Sequence, residues 1–100
     1  MKEIVEFVDE VAGLYFRSLL LPEIGLNVPQ HIHPYDHATY CGNGSAAIYV
    51  DGKRTGTLQA GHAILVQAGK KHWFESLEPN TRLTCVHDTR SAEFIKKSGI

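Results

Sequence analysis

Apolar and polar residues alternate in short runs along most of this 100-residue chain, and turn residues separate the runs. A period of two is typical of β-strands that bury one face. A strand is predicted to lead from Ile24 toward His33, and the others cover residues 3–8, 14–21, 37–41, 46–50, 55–59, 63–66, 72–77 and 82–87. Turns are predicted at Gly13, 42–44, Asp51-Gly52, Gly61 and Pro79-Asn80.

Two of the predicted strands are apolar on both faces. Residues 63–66, AILV, contain no polar side chain, which predicts a strand that is covered on both sides. In residues 14–21, LYFRSLLL, only Arg17 and Ser18 interrupt the apolar run. The pattern leaves open which way Arg17 points. If it faces inward, it could bind a substrate carboxylate.

Eight or nine short strands with regular turns predict a small antiparallel sandwich or barrel. One short helix is predicted at the end of the chain, where Ser91 could cap a segment that continues through Ile95 to Lys97. No linker, repeat or low-complexity tract divides the sequence. Residues 1–100 are therefore predicted to form a single domain.

Charge and composition exclude several classes of partner. The formal net charge is −1, which gives no electrostatic case for binding nucleic acid or an anionic membrane. No apolar run approaches the roughly 20 residues that span a bilayer. The N-terminal MKEIVEFVDE is acidic and unlike a signal peptide, and Cys41 and Cys85 are too few for a disulfide scaffold. We expect free thiols and a cytoplasmic protein.

Six histidines are the one compositional oddity, and three of them form the pattern HxHxxxH at His31, His33 and His37. On a strand, His31 and His33 would share a face and could present two nitrogens to one metal ion. Pro34 argues against a helix here, because it lies between His33 and His37. The segment therefore predicts a strand, a tight turn and a second strand that returns His37 to the first pair.

These residues resemble the first motif of the cupin family, G-x5-HxH-x3,4-E-x6-G. The chain has Gly25, His31, His33, His37 and Gly44 at matching spacings, with His37 at the position of the glutamate. The second cupin motif is G-x5-PxG-x2-H-x3-N.

The chain matches the second motif with Gly61, Gly69 and His72. Gln67 replaces the proline and Ser76 replaces the asparagine. The resemblance covers about residues 13–88.

The resemblance implies an all-β, double-stranded β-helix barrel of the jelly-roll type, with one metal ion near its middle. Carried over by position, the metal ligands are His31, His33, His37 and His72. Four imidazoles leave the full 2+ charge on the ion, whereas a carboxylate would offset one unit. Iron or manganese is favoured as the divalent transition metal, and zinc, nickel and copper stay open.

Other residues near this site are candidates for chemistry. Tyr35 and His87 are the candidate catalytic groups, since either could transfer a proton. Asp36 could orient an imidazole.

The two cysteines and one further histidine have simpler interpretations. Cys85 is interpreted as an inward-facing core residue, and Cys41 as a residue of the core or of the surroundings of the site. His62 is expected at the surface. An apolar pocket wall is predicted from Ile48, Val50, Phe74 and Leu83.

Three functions remain open. The first is a dioxygenase-like, metal-dependent enzyme that acts on a small organic molecule. The second is a metal-bearing binding module without turnover, and the third is a metal-dependent isomerase or lyase that uses a base such as Tyr35 or His87. Trp73 is expected to face away from the metal, and we expect a homodimer with aromatic residues at the contact.

Overall fold

The computed structural model describes residues 2–31 and 34–89, without the side chains at positions 29–31. The described part contains nine strands: β1 (Val5–Val11), β2 (Leu14–Leu21), β3 (Asn27–His31), β4 (His37–Asn43), β5 (Ser45–Val50), β6 (Lys53–Gln59), β7 (Ala63–Val66), β8 (His72–Ser76) and β9 (Thr81–Asp88). Every predicted strand is present. The predicted helix at residues 91–97 lies outside the described residues.

The strands form two antiparallel sheets that pack face to face. A five-stranded sheet has the order β1-β2-β9-β4-β7, and a four-stranded sheet has the order β3-β8-β5-β6. Strands that are distant in the sequence are neighbours, as when β2 pairs with β9 from Leu14–Asp88 to Leu21–Thr81. This arrangement confirms the all-β, jelly-roll expectation.

The core lies between the inner faces of the two sheets. The five-stranded sheet contributes Leu19, Leu21 and Leu83, and the four-stranded sheet contributes Leu58 and Phe74, all of them buried. Burial of each such side chain contributes about 1.5–3 kcal/mol. Leu83 was expected in a pocket wall, but it lies in this core with 1% exposure.

The sequence predicted that a tight turn joins the strand of His31 directly to the strand of His37. This connection is wrong, because the two strands lie in different sheets. β3 pairs with β8, with His31 opposite His72, whereas β4 belongs to the other sheet and pairs with β7 and β9. The chain therefore crosses from one sheet to the other between β3 and β4. Alternation of polar and apolar residues shows which face of a strand each side chain lies on, but it does not show which strand pairs with it. The sequence therefore could not distinguish a hairpin from a crossover between sheets.

The turn predicted at residues 42–44 is shorter in the structure. β4 continues to Asn43, with a register shift between Cys41 and Asn43 against β9, and β5 begins at Ser45. Gly44 alone makes the connection, at φ +75°. A Cβ at this position would lie 3.0 Å from the Cα of Thr81, so close approach as well as conformation requires glycine.

Two strands at the edges of the five-stranded sheet are more exposed than expected. β7 was predicted to be covered on both sides, but Leu65 is 61% exposed because, within the described residues, no second layer lies over the outer face of its sheet. β1 begins at Val5 rather than at residue 3 and is exposed along its whole length.

Neither cysteine forms a disulfide, which confirms the free thiols. Within the described residues, no helix is long and apolar enough to cross a membrane.

Candidate metal centre and ring cluster

Histidines from both sheets meet at one end of the sandwich. His37 is the first residue of β4 in the five-stranded sheet, and His72 is the first residue of β8 in the four-stranded sheet. Both side chains are buried, with 6% exposure each. Side chains alternate between the two faces of a strand, and the buried positions show which face is inward. His37 shares the inward face of β4 with Thr39 and Cys41, and His72 shares that of β8 with Phe74 and Ser76.

The rings of His37 and His72 lie 5.2 Å apart between centroids, at an interplanar angle of 54°. Two imidazoles that share one metal ion at about 2.1 Å have centroids about 4.5–5.5 Å apart. The spacing of the two rings therefore suits a shared ion.

The environment of His72 favours the form of imidazole that a metal ion binds. Burial lowers the pKa of His72 below its ordinary value, and the hydrogen bond to Lys70 only partly opposes this effect. Nδ1 lies 3.3 Å from the carbonyl oxygen of Lys70, so in the neutral ring Nδ1 carries the proton and donates it. The lone pair then lies on Nε2, and a carbonyl partner on the other ring nitrogen is typical of metal-binding histidines.

The two remaining predicted ligands are only partly described. The backbone of His31 pairs with His72 across β3 and β8, whereas its side chain and the whole of His33 lie outside the described residues. Within the part of the chain that the structure describes, no three His, Cys, Asp or Glu side chains gather into a metal-binding group. All four ligands therefore stay predictions, and His37 and His72 are the two whose side chains the structure describes.

Three further rings continue from the histidine pair along the five-stranded sheet. Tyr35, in the loop before β4, has its ring 6.4 Å from that of His37 and 4.7 Å from that of His87. On the far side, Tyr15 of β2 stacks on His87 at 4.8 Å and 24°. The rings of Tyr15, His87 and Tyr35, which we call the ring cluster, therefore adjoin His37 directly.

The surroundings of two polar groups in the ring cluster, Tyr35 and His87, bear on what each can do. Burial raises the pKa of Tyr35, and Tyr15 and Cys85 raise it further, so the Tyr35 hydroxyl keeps its proton at neutral pH. Nδ1 of His87 lies 2.9 Å from the carbonyl oxygen of Asp88. A carbonyl only accepts, so a neutral His87 donates from Nδ1 and leaves Nε2 as its proton acceptor.

An apolar cavity of about 410 Å³ reaches His72 from the other side. Ile48 and Val50 of β5, Ile64 and Val66 of β7, and Phe74 contribute to its wall. The cavity is within the size range of small-molecule sites. It confirms the predicted wall positions Ile48, Val50 and Phe74.

The structure also places Cys41, which lies in the core as one of its two interpretations had it, and Asp36 and His62. Cys41 is fully buried at the opposite end of β4, where its Sγ donates to the Asn43 carbonyl at 3.3 Å, and burial raises the pKa of its thiol. The carboxylate of Asp36 accepts a hydrogen bond from the Ala68 amide at 2.7 Å, which ties two loops together. His62 is exposed, as expected.

Cys85 and Arg17 lie on the inner face, one row farther than His87 from the end of the sandwich where His37 and His72 meet. Cys85 pairs with Arg17 on one side and with Thr39 on the other, and its Sγ lies 3.4 Å from the Thr39 hydroxyl. Burial raises the pKa of this thiol. Arg17 does face inward, and its Nε donates to Glu6 at 2.8 Å.

Tyr15 is the member of the site that sequence reasoning missed. Its contact with His87 depends on the pairing of β2 with β9, two strands at opposite ends of the chain. In the sequence, the only indication that Tyr15 could belong to the site was its position two residues before Arg17, in a strand that is apolar on both faces.

Comparison with known proteins gives one family and one fold. A family model described as a cupin domain matches residues 20–87. Among solved structures, KdgF from a Halomonas species superposes with a TM-score of 0.71 at 19% identity, over 83% of this chain and 76% of that chain. A cupin superfamily protein from Desulfitobacterium hafniense superposes with a TM-score of 0.72 at 14% identity, over 86% and 77%.

A third solved structure, from Ralstonia eutropha, is provisionally assigned as a mannose-6-phosphate isomerase. It superposes with a TM-score of 0.69 at 20% identity, over 88% of this chain and 86% of that chain. No curated protein matches the sequence.

Proposed function

The chain belongs to the cupin domain family, and we propose that it is a metal-dependent isomerase or lyase that moves a proton on a small organic substrate. The observation that carries the proposal is the contact of Tyr35 with His87 on one side and with His37 on the other. The proposed ligands of one divalent metal ion are His31, His33, His37 and His72.

The described donor set fits a divalent transition metal, because two imidazoles already lie at the spacing of a shared ion. When bound, such an ion supplies Lewis-acid polarisation of a substrate oxygen, which makes a neighbouring C–H bond more acidic. Iron or manganese is the favoured ion, and zinc, nickel and copper are alternatives that elemental analysis distinguishes.

In this proposal, the chain itself handles the proton. Nε2 of neutral His87 accepts the proton from the substrate, since Nδ1 is committed to the Asp88 carbonyl. The Tyr35 hydroxyl, whose raised pKa keeps it protonated, donates a proton at the other position. Tyr15 stacks on His87 and limits the rotation of its ring.

The apolar cavity sets the expected shape of the substrate. A molecule with its oxygen near His72 would place its apolar part against Ile48, Val50 and Phe74. We therefore propose a substrate with one polar, carbonyl-bearing end and one small apolar end. The isomerase name of the Ralstonia eutropha structure supports the same reaction class.

An oxygenase is the second candidate, and the apolar cavity favours it. An all-histidine donor set without a carboxylate, next to a mainly apolar cavity, suits oxygen chemistry at iron, copper or manganese. In an oxygenase, Tyr35 and His87 would orient the substrate without exchanging its proton.

One experiment separates the candidates. The metal-free protein is loaded with Fe(II), Mn(II) or Zn(II) and offered 2-hydroxy ketones, 2-oxo acids and 1,3-diketones. Proton exchange with D₂O is followed by NMR, and oxygen uptake is followed with an electrode. Protein-dependent exchange that Tyr35→Phe abolishes supports the isomerase or lyase. Oxygen uptake without such exchange supports the oxygenase. A ligand that raises the melting temperature while neither signal appears overturns both candidates in favour of a binding module.

A further inference from the structure

The apolar cavity that reaches His72 has a polar rim. Its inner wall includes the buried side chains of Val66, His72 and Phe74. Gln67 and Lys70 line the same cavity from exposed positions. Among the described residues that line it, Lys70 is the only lysine or arginine, and no aspartate or glutamate is present. The cavity therefore combines an apolar interior with one positive charge at its rim.

We propose that Lys70 and Gln67 bind a carboxylate of the substrate. The substrate is then a short-chain carboxylic acid whose reacting carbonyl lies beside its carboxylate, as in a 2-oxo acid. This inference rests on the proposed function for the place of the reaction, because it takes the paired histidines as part of the metal site. The binding that it predicts needs no turnover, so it is measured separately from the reaction.

Lys70 lies close enough to His72 to share one end of a substrate with it. Two residues of chain separate their Cα atoms by at most about 7 Å. The carbonyl oxygen of Lys70 lies 3.3 Å from Nδ1 of His72, and both residues line the same cavity. The Lys70 ammonium is carried by a flexible four-carbon stem, so it can reach an anionic group next to His72.

The loop that carries Lys70 is held in place by two aspartates. The carboxylate of Asp36 accepts a hydrogen bond from the Ala68 amide at 2.7 Å, and that of Asp51 accepts one from the Lys71 amide at 3.1 Å. The Asp51 amide in turn donates to the Lys71 carbonyl at 2.7 Å. The loop backbone is thus fixed before a ligand arrives, which lowers the entropy cost of binding.

The side chains at the rim suit a monocarboxylate. A carboxylate only accepts hydrogen bonds, whereas the Lys70 ammonium offers three donors and the Gln67 amide offers two. A phosphate monoester carries nearly two negative charges, against one described cation at this rim. The carbon chain of the acid would lie against the apolar wall that Ile48, Val50 and Phe74 form.

Arg17 is the other cation that could bind a substrate carboxylate, and it lies in a different place. It lines a separate cavity of about 320 Å³ that also contains Glu3 and Glu6. Its Nε donates to the Glu6 carboxylate at 2.8 Å. Two carboxylates beside one guanidinium repel a further anion, so Lys70 is the better site for the substrate.

NMR titration with unreactive ligands tests the site. The protein is loaded with Zn(II), which has no redox chemistry, and is titrated with pentanoate and with the neutral pentanamide. We expect pentanoate to bind about fivefold more tightly, the upper range for an ion pair open to water. Affinity should also rise up to about fourfold per CH₂ from propanoate to pentanoate, as each group enters the apolar wall. Equal affinity for acid and amide, or no effect of chain length, overturns the inference.

Two pairs of variants locate the carboxylate. Lys70→Gln should bind acid and amide equally, whereas its control Lys71→Gln, the same change at the next exposed residue, should keep the fivefold preference. Gln67→Glu should weaken pentanoate binding by repulsion. Its control, Gln59→Glu at an exposed position of β6 outside the cavity, should not. Circular dichroism verifies that all four variants fold.

The remaining outcomes separate this inference from the proposed reaction. Equal loss of the preference in Lys70→Gln and Lys71→Gln would indicate general attraction and overturn the site. A full preference in Lys70→Gln would overturn it as well, and its loss in Arg17→Gln would move the carboxylate to the other cavity. Proton exchange on 2-hydroxy ketones but not on 2-oxo acids would overturn the inference while the reaction stands. A preference that depends on Lys70, without exchange or oxygen uptake, would support the carboxylate site while the reaction fails.

Discussion

The ring of Tyr35 lies 4.7 Å from the ring of His87, although one residue belongs to the loop before β4 and the other to the last described strand. The same tyrosine lies 6.4 Å from His37. One side chain thus connects a predicted metal ligand with the proposed proton acceptor.

Removal of either proton-transfer group should impair turnover and leave the metal in place. We expect Tyr35→Phe and His87→Asn each to lower kcat by about 10²–10⁴-fold, the usual contribution of a general acid or base. The metal content per chain should stay unchanged, because neither side chain belongs to the proposed ligand set.

The matched control for this prediction is Tyr49→Phe, which removes a hydroxyl on the outer face of the four-stranded sheet. It should retain full activity. A normal kcat in both site variants would remove Tyr35 and His87 from the mechanism.

Replacement of the paired histidines should release the metal. We expect His37→Ala and His72→Ala each to lower metal affinity by more than about a hundredfold, since loss of mere supporting contacts already costs 10–100-fold. Elemental analysis of the dialysed proteins measures the effect. His62→Ala, a change at an exposed histidine, is the control and should bind metal normally. Full metal content in His72→Ala would rule out the proposed site.

Acidification should destabilise the metal-free protein through His72. Burial lowers its pKa in the folded state below the ordinary 6.5, so the unfolded chain takes up the proton at a higher pH. The free energy of unfolding therefore falls as the pH drops below 6.5 toward the folded-state pKa. Urea unfolding at several pH values measures this slope. His72→Asn should make the free energy of unfolding less dependent on pH, whereas His62→Asn should leave that dependence unchanged. The same pH dependence in His72→Asn and in the unmodified protein would contradict the assignment to His72.

Replacement of Gly44 by alanine should destabilise the fold more than the same replacement at Gly52, which has a similar backbone conformation but open space around it. Both Gly44 and Gly52 have positive φ, at +75° and +82°, but only Gly44 lies against Thr81. Thr81 is fully buried and donates to the Ser45 and Glu78 carbonyls, so it has little room to move.

We expect Gly52→Ala to cost about 1–2 kcal/mol from the left-handed conformation alone. Gly44→Ala should cost at least about 1 kcal/mol more, because the methyl group also clashes. Urea unfolding measures both variants. Equal losses of stability would mean that the backbone yields around Thr81.

Local pattern and motif spacing determined much of this protein. Alternation located most of the strands, because a strand with one buried face changes polarity at each residue, and short apolar runs between turns located those at residues 14–21 and 63–66. Asp51-Gly52 identified a two-residue hairpin whose residues both have positive φ. The motif spacings around His31 and His72 indicated the family that the domain comparison confirms.

Only the tertiary structure decided which strands are neighbours and what each outer face meets. Tyr15 reaches His87 because β2 pairs with β9, and His37 reaches His72 because two sheets pack together. Leu65 is apolar like a core residue but exposed, since among the described residues a second layer covers its sheet on one side only. Alternation is a local property that records which side of a strand is apolar. The identity of the layer or strand that covers that side depends on contacts between residues far apart in the chain.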